Sequence, residues 1–80
     1  MTWAIDLYYK RRADKSREDL LVDRIAQLRG RLDHREENIV PGAVANVCLT
    51  FEFEDQSTAN VAARSLSESG EHIEGPYDYA

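Results

Sequence analysis

The chain has one cysteine, Cys48, in 80 residues, so no internal disulfide can form, and any metal site would have to be built almost wholly from other residue types. That suits a reducing compartment, and a cytoplasmic location is expected. No apolar run approaches the ~20 residues of a membrane span, and no basic-then-apolar leader opens the sequence. There are only four glycines and two prolines, with no glycine-rich phosphate loop, no low-complexity tract, no interdomain linker and no long internal repeat. Basic residues nearly vanish after Arg35. Residues 1–35 carry nine Lys and Arg against six acids, a balance of +3, whereas from Glu36 onward Arg64 faces nine acids, a balance of −8. The halves either make a two-signed surface or cancel on folding, and cancellation is the simpler outcome.

What is present describes one globular domain over residues 1–80. With 42% hydrophobic and 31% charged residues the composition is that of an ordinary soluble domain. A chain of this length buries only about 60% of its unfolded surface, so its core must be small.

The organising stretch is Val44 to Asp55. Val47, Leu49, Phe51 and Phe53 alternate with Cys48, Thr50, Glu52 and Glu54, the period of a strand that buries one face. Trp3, Ile5, Leu7 and Tyr9 alternate in the same way with Ala4, Asp6, Tyr8 and Lys10 and predict a first strand. Leu21, Ile25, Leu28 and Leu32 recur at helical spacing, predicting a helix from about Arg17 to Arg29 with Ser16 as N-cap, accepting from the Asp19 N–H, and Gly30 as left-handed C-cap. Residues 31–40 carry almost no apolar alternation and are read as a polar edge strand, with Pro41 and Gly42 turning into the central strand. Asp55 or Ser57 is expected to cap a second helix whose buried stripe is Ala59, Ala62, Ala63 and Leu66 and which Gly70 closes. Glu71 to Glu74 reads as a last edge strand, stopping near Pro76 because proline cannot donate to a ladder.

Strand, helix, strand, strand, helix, strand is the split βαβ order, predicting a ferredoxin-like α+β sandwich: a four-stranded antiparallel sheet, two helices on one face, and strands one and three in the centre. The run from Phe53 through Ala59 and Ala62 to Leu66 resembles the third-strand-to-second-helix segment of the RNA recognition motif, and Ser16 to Gly30 resembles that family's first helix. The resemblance covers the spacing of fold-forming residues over most of the chain and implies architecture. That family reads RNA with aromatic and basic residues on the open face of its two central strands. The matching positions here hold Asn46, Cys48 and Thr50 on the third strand and Asp6 on the first. Only Tyr8 could stack a base, and Asp6 and Glu52 repel phosphate, so no nucleic acid is expected on the sheet.

Lys10, Arg11, Arg12, Lys15 and Arg17 bunch at the start of the first helix, where free backbone N–H groups favour an anion; a solvated basic loop explains them as well. His34 lies beside Asp33, Glu36 and Glu37, and His72 beside Glu71 and Glu74. Without His-x-x-x-His or Cys-x-x-Cys spacing, and on opposite sheet edges, they are not expected to hold a metal. Cys48 has no base beside it in sequence and reads as a small side chain on the open face. Asp6, Tyr8, Thr50 and Glu52 can approach one another across the central strands as a polar cluster, usually a solvated one. Tyr77 and Tyr79 offer contact area at low entropy cost, unless their tail folds back on its own sheet or frays.

The reading is a protein-interaction or regulatory module working through Asp6, Tyr8, Cys48, Thr50, Tyr77 and Tyr79, toward a protein partner or a second copy, without cofactor, metal or catalytic residue. The alternative is a small enzyme or anion-binding domain built on Lys10, Arg11, Arg12, Lys15 and Arg17.

Overall fold

A computed structural model describes residues 2–9, 14–38 and 46–79. Its elements are β1 (Trp3–Tyr9), α1 (Lys15–Gln27), β2 (Gly30–Asn38), β3 (Asn46–Phe53), α2 (Gln56–Glu68) and β4 (His72–Asp78). The sheet order is β2-β3-β1-β4, every neighbouring pair antiparallel. This is the ferredoxin-like sandwich, with β1 and β3 central and both helices on one face.

The core follows from the two alternating strands. Leu7 lies opposite Leu49 and Ile5 opposite Phe51, and all four are fully buried. Above them sit Leu21 and Ile25 of α1 and Ala59, Ala62, Ala63 and Leu66 of α2. Small residues on the α2 stripe permit close approach of that helix to the sheet. Trp3, Leu28 and Leu32 pack against the margin of this core. Leu32, which continued the helical stripe in sequence, belongs instead to β2, opposite Phe51.

Both helix N-termini are capped by a carboxylate. Asp14, not Ser16, caps α1: its Oδ1 accepts from the Arg17 N–H at 3.1 Å, and the helix begins at Lys15. An ionised acceptor at the positive end of the helix dipole outcompetes a hydroxyl two residues later, and Ser16 is left exposed in the first turn. Asp55 caps α2, accepting from the backbone N–H and the hydroxyl of Thr58, each at 2.7 Å.

At the end of α1 the left-handed conformation falls on Arg29, with φ 68°, and not on Gly30. Gly30 opens β2 and serves a different need: a Cβ there would lie 2.4 Å from Cε2 of Phe53 and 2.7 Å from Cγ2 of Ile25. The missing side chain makes room for the Phe53 ring.

Each edge strand carries a bulge. In β2 the register shifts between Leu32 and His34, so Asp33 is an extra residue opposite β3. In β4 the expected stop at Pro76 does not occur. Glu74 faces Asp6 and Tyr77 faces Ala4, so Gly75 and Pro76 together oppose Ile5, and the strand continues to Asp78. An edge position tolerates the proline because no outer strand needs its N–H. Gly75 has φ 108°, and a Cβ there would meet the Ala4 carbonyl oxygen at 2.8 Å. The turn at Pro41 and Gly42 lies outside the described residues.

Replacing Gly30 with Ala should destabilise the domain by about 1–3 kcal/mol, because the new methyl must displace the ring of a core phenylalanine. Urea unfolding checks this, and a neutral result would show that the ring has room to move.

Candidate functional site

The pairing registers turn the open sheet face into rows that run across the strands. Asn38 and Asn46 form the first row. Glu36, Cys48, Tyr8 and His72 form the second, His34, Thr50, Asp6 and Glu74 the third, and Arg31, Glu52, Ala4 and Tyr77 the fourth. Without the β4 bulge, strict alternation would point Tyr77 at the helices; the extra residue turns it onto the open face.

The C-terminal residues cover the fourth row. The Tyr77 hydroxyl donates to Asp6 Oδ1 at 3.0 Å, and the Thr50 hydroxyl donates to the same oxygen at 2.7 Å. The Tyr79 backbone N–H donates to the Thr2 carbonyl at 2.9 Å, while its phenol reaches over β1 and β3 to donate to Asp33 on the far edge. The Thr2 hydroxyl sits between the Tyr79 carbonyl and the Glu52 carboxylate, which also pairs with Arg31. The Tyr77 and Tyr79 rings meet edge-on, with centroids 6.1 Å apart. Beneath this strap Ala4 has no exposed surface. Burial and the hydrogen bond to Asp6 push the Tyr77 phenol up to about 12, and the bond to Asp33, with burial, raises that of Tyr79. Both phenols stay protonated and donating.

Among the described residues, none lies over the opposite end of the face. Tyr8, Glu36, Asn38, Asn46, Val47 and Cys48 line a groove of about 300 Å³. Tyr8 and Cys48 lie directly opposite each other on the central strands and form its floor, and the His72 ring stands edge-on to Tyr8 at 5.8 Å. Burial first, then the hydrogen bond with Cys48 and the charges of Asp6 and Glu74, raise the Tyr8 phenol above its ordinary range. Burial and the charge of Asp6 raise the Cys48 thiol, which keeps it protonated and a poor nucleophile.

A second cluster lies on the helix side, between α1 and β2. The Arg35 guanidinium donates to both oxygens of the buried Glu18 carboxylate, at 2.6 Å from Nε and 3.3 Å from Nη2, and the Tyr9 hydroxyl donates to the same carboxylate. The β2 bulge brings Arg35 to the helix face, because it shifts every later residue of that strand by one position. Arg35 holds the Glu18 carboxyl below its usual range against the opposing effect of burial. Among the described residues no buried side-chain nitrogen or oxygen lacks a partner, so this cluster reads as a fastening for α1.

Of the basic group, Lys10, Arg11 and Arg12 lie outside the described residues. Lys15 pairs with Asp19 at 3.0 Å, and Arg17 pairs with Glu71 while its guanidinium lies 5.1 Å over the Tyr9 ring. His34 and His72 stand on the two opposite edges, and no group of three or more His, Cys, Asp or Glu able to hold a metal occurs among the described residues. No helix there is long and apolar enough to cross a membrane.

The structure thus brings together Asp6, Thr50 and Tyr77, and separately Tyr8 and Cys48; Tyr79 spans to the other edge. Glu36 and Asn38 join the groove, and His72 stands beside Tyr8, unannounced by sequence, since only the register of β2 and β4 places them there. No protein-family model, curated protein or solved structure matches the chain.

Truncation after Asp78 should lower stability by about 1–2 kcal/mol, through loss of the Tyr79 hydrogen bonds to Thr2 and Asp33; thermal melts of the truncated and full chains measure it. Glu18 supplies a pH test. Its folded pKa lies below the unfolded value of about 4.3, so its contribution is complete above that pH and is lost as pH falls through the folded value. Glu18→Gln should therefore be less stable than the parent at pH 6, and the gap should narrow toward pH 3 in urea titrations.

Proposed function

We propose that this chain is a protein-interaction module that works through the open face of its sheet, at the end its own tail leaves free. The observation that carries the reading is the division of that face. Tyr77 and Tyr79 close one end over Ala4, while Tyr8 and Cys48 floor a groove at the other. A half-buried tyrosine, a protonated thiol and flanking amides offer apolar area with polar handles, the composition of a binding surface rather than of a reacting centre. Asp6, Glu36, Glu52 and Glu74 on the same face favour a protein partner over nucleic acid.

Photo-crosslinking tests this directly. A benzophenone-bearing phenylalanine analogue in place of Tyr8 should give discrete protein adducts in living cells, whereas the same analogue at Val61, exposed on α2, should not. Adducts from position 61 alone would place the working surface on the helices. Stabilisation of the purified chain by millimolar phosphate, with no adduct from position 8, would favour the anion-binding reading of Lys10, Arg11, Arg12, Lys15 and Arg17.

A further inference from the structure

We propose that the groove floored by Tyr8 and Cys48 receives an arginine side chain presented by a segment of another protein. This deepens the reading of the open face as the working surface and rests on it.

Charge gives the first argument. Among the described residues of the three rows outside the strap, the Asp and Glu residues are Asp6, Glu36 and Glu74, with no Lys or Arg beside them. Among the described residues of all four rows the one Arg is Arg31, and Glu52 already pairs with it in the strap-covered row. Asp6 accepts from Thr50 and Tyr77, but those neutral donors leave its charge in place. His72 approaches Glu74 only at 3.9 Å. The described residues of the free end therefore favour a cation, and the acceptors that would meet one are spread along it: the Glu36 carboxylate, opposite Cys48, and the amides of Asn38 and Asn46, paired across β2 and β3.

Shape gives the second. A cavity of about 300 Å³ is at the small end of ligand sites and suits one long side chain better than a folded surface. Its floor holds the aromatic ring of Tyr8, against which the His72 ring stands at 85°. A guanidinium satisfies both demands, because it stacks on an aromatic face and still directs several N–H donors outward in a fixed fork. An ammonium is a compact, strongly hydrated point charge and exploits the ring less well. Carboxylates, phosphates and anionic lipid surfaces meet like charge here.

The test is an amide-shift titration of the isotopically labelled full chain with a capped Gly-Arg-Gly peptide, with Gly-Glu-Gly and Gly-Leu-Gly as comparisons. The arginine peptide should move the amide signals of Tyr8, Glu36 and Cys48, and the other two should not. Glu36→Lys should weaken binding about tenfold and Tyr8→Ala about threefold, with core signals such as those of Leu49 and Phe51 confirming that each variant is folded. Equal shifts with all three peptides would overturn the proposal, as would an affinity unchanged by Glu36→Lys. It also falls if the groove signals move only when Lys10, Arg11 and Arg12 are replaced by serine and no peptide binds, since the chain's own basic segment would then be the occupant. Adducts from position 8 without arginine binding would retain the face as the working surface and remove this ligand; absence of both would remove the two readings together.

Discussion

The pairing of β1 with β3 is the constraint on which everything else in this molecule depends. Placing Ile5 opposite Phe51 and Leu7 opposite Leu49 concentrates the largest apolar side chains of an 80-residue chain on one face of two strands. Burial of that face fixes where the helices lie, because a one-residue slip would send every one of those side chains to solvent. The same register aligns the opposite face. Tyr8 meets Cys48 and Asp6 meets Thr50 for no reason other than that their neighbours must meet in the core.

The edge strands answer to a different logic. β2 is almost wholly polar and β4 contains a proline, so neither has an alternating pattern strong enough to hold a uniform register. Each takes up one extra residue, and each extra residue redirects the chain beyond it. In β2 the bulge at Asp33 sends Arg35 to the helix side, where it holds the buried Glu18 carboxylate and ties α1 to the sheet. In β4 the bulge at Gly75 and Pro76 sends Tyr77 to the open side, where it reaches Asp6. Two irregularities at the margins thus settle one structural fastening and the coverage of one surface.

The Glu18 cluster and the groove at Tyr8 differ in how completely their polar groups are satisfied. The Glu18 cluster is buried and complete, with a guanidinium and a phenol donating to one carboxylate. A finished network has nothing left to offer a ligand. The groove at Tyr8 has a propped ring, a protonated thiol and a carboxylate on Glu36 at an exposed position. Tyr8 meets Cys48 and His72, while the Glu36 carboxylate has no such partner among the described residues and stands exposed on the groove's margin.

The sequence by itself determined the element order, the two central strands, the polar edge strand over residues 31–38 and the small-residue stripe of α2. Each of these is a local periodicity that one face or another must bury. It narrowed the second cap to Asp55 or Ser57, but assigned the first cap to Ser16 and the left-handed turn to Gly30, because propensities name the residue types suited to a position and not the competition among neighbours. Tertiary structure decided that competition: Asp14 supplied the stronger acceptor, and the Phe53 ring required Gly30 for its space rather than for its dihedral freedom. Tertiary structure alone also decided the composition of the sheet face. Which residue of β2 stands beside Cys48, and whether Tyr77 points to the core or away from it, depend on bulges that no periodicity announces, since a strand without a strong alternating pattern takes its register from its pairing with a neighbour distant in sequence.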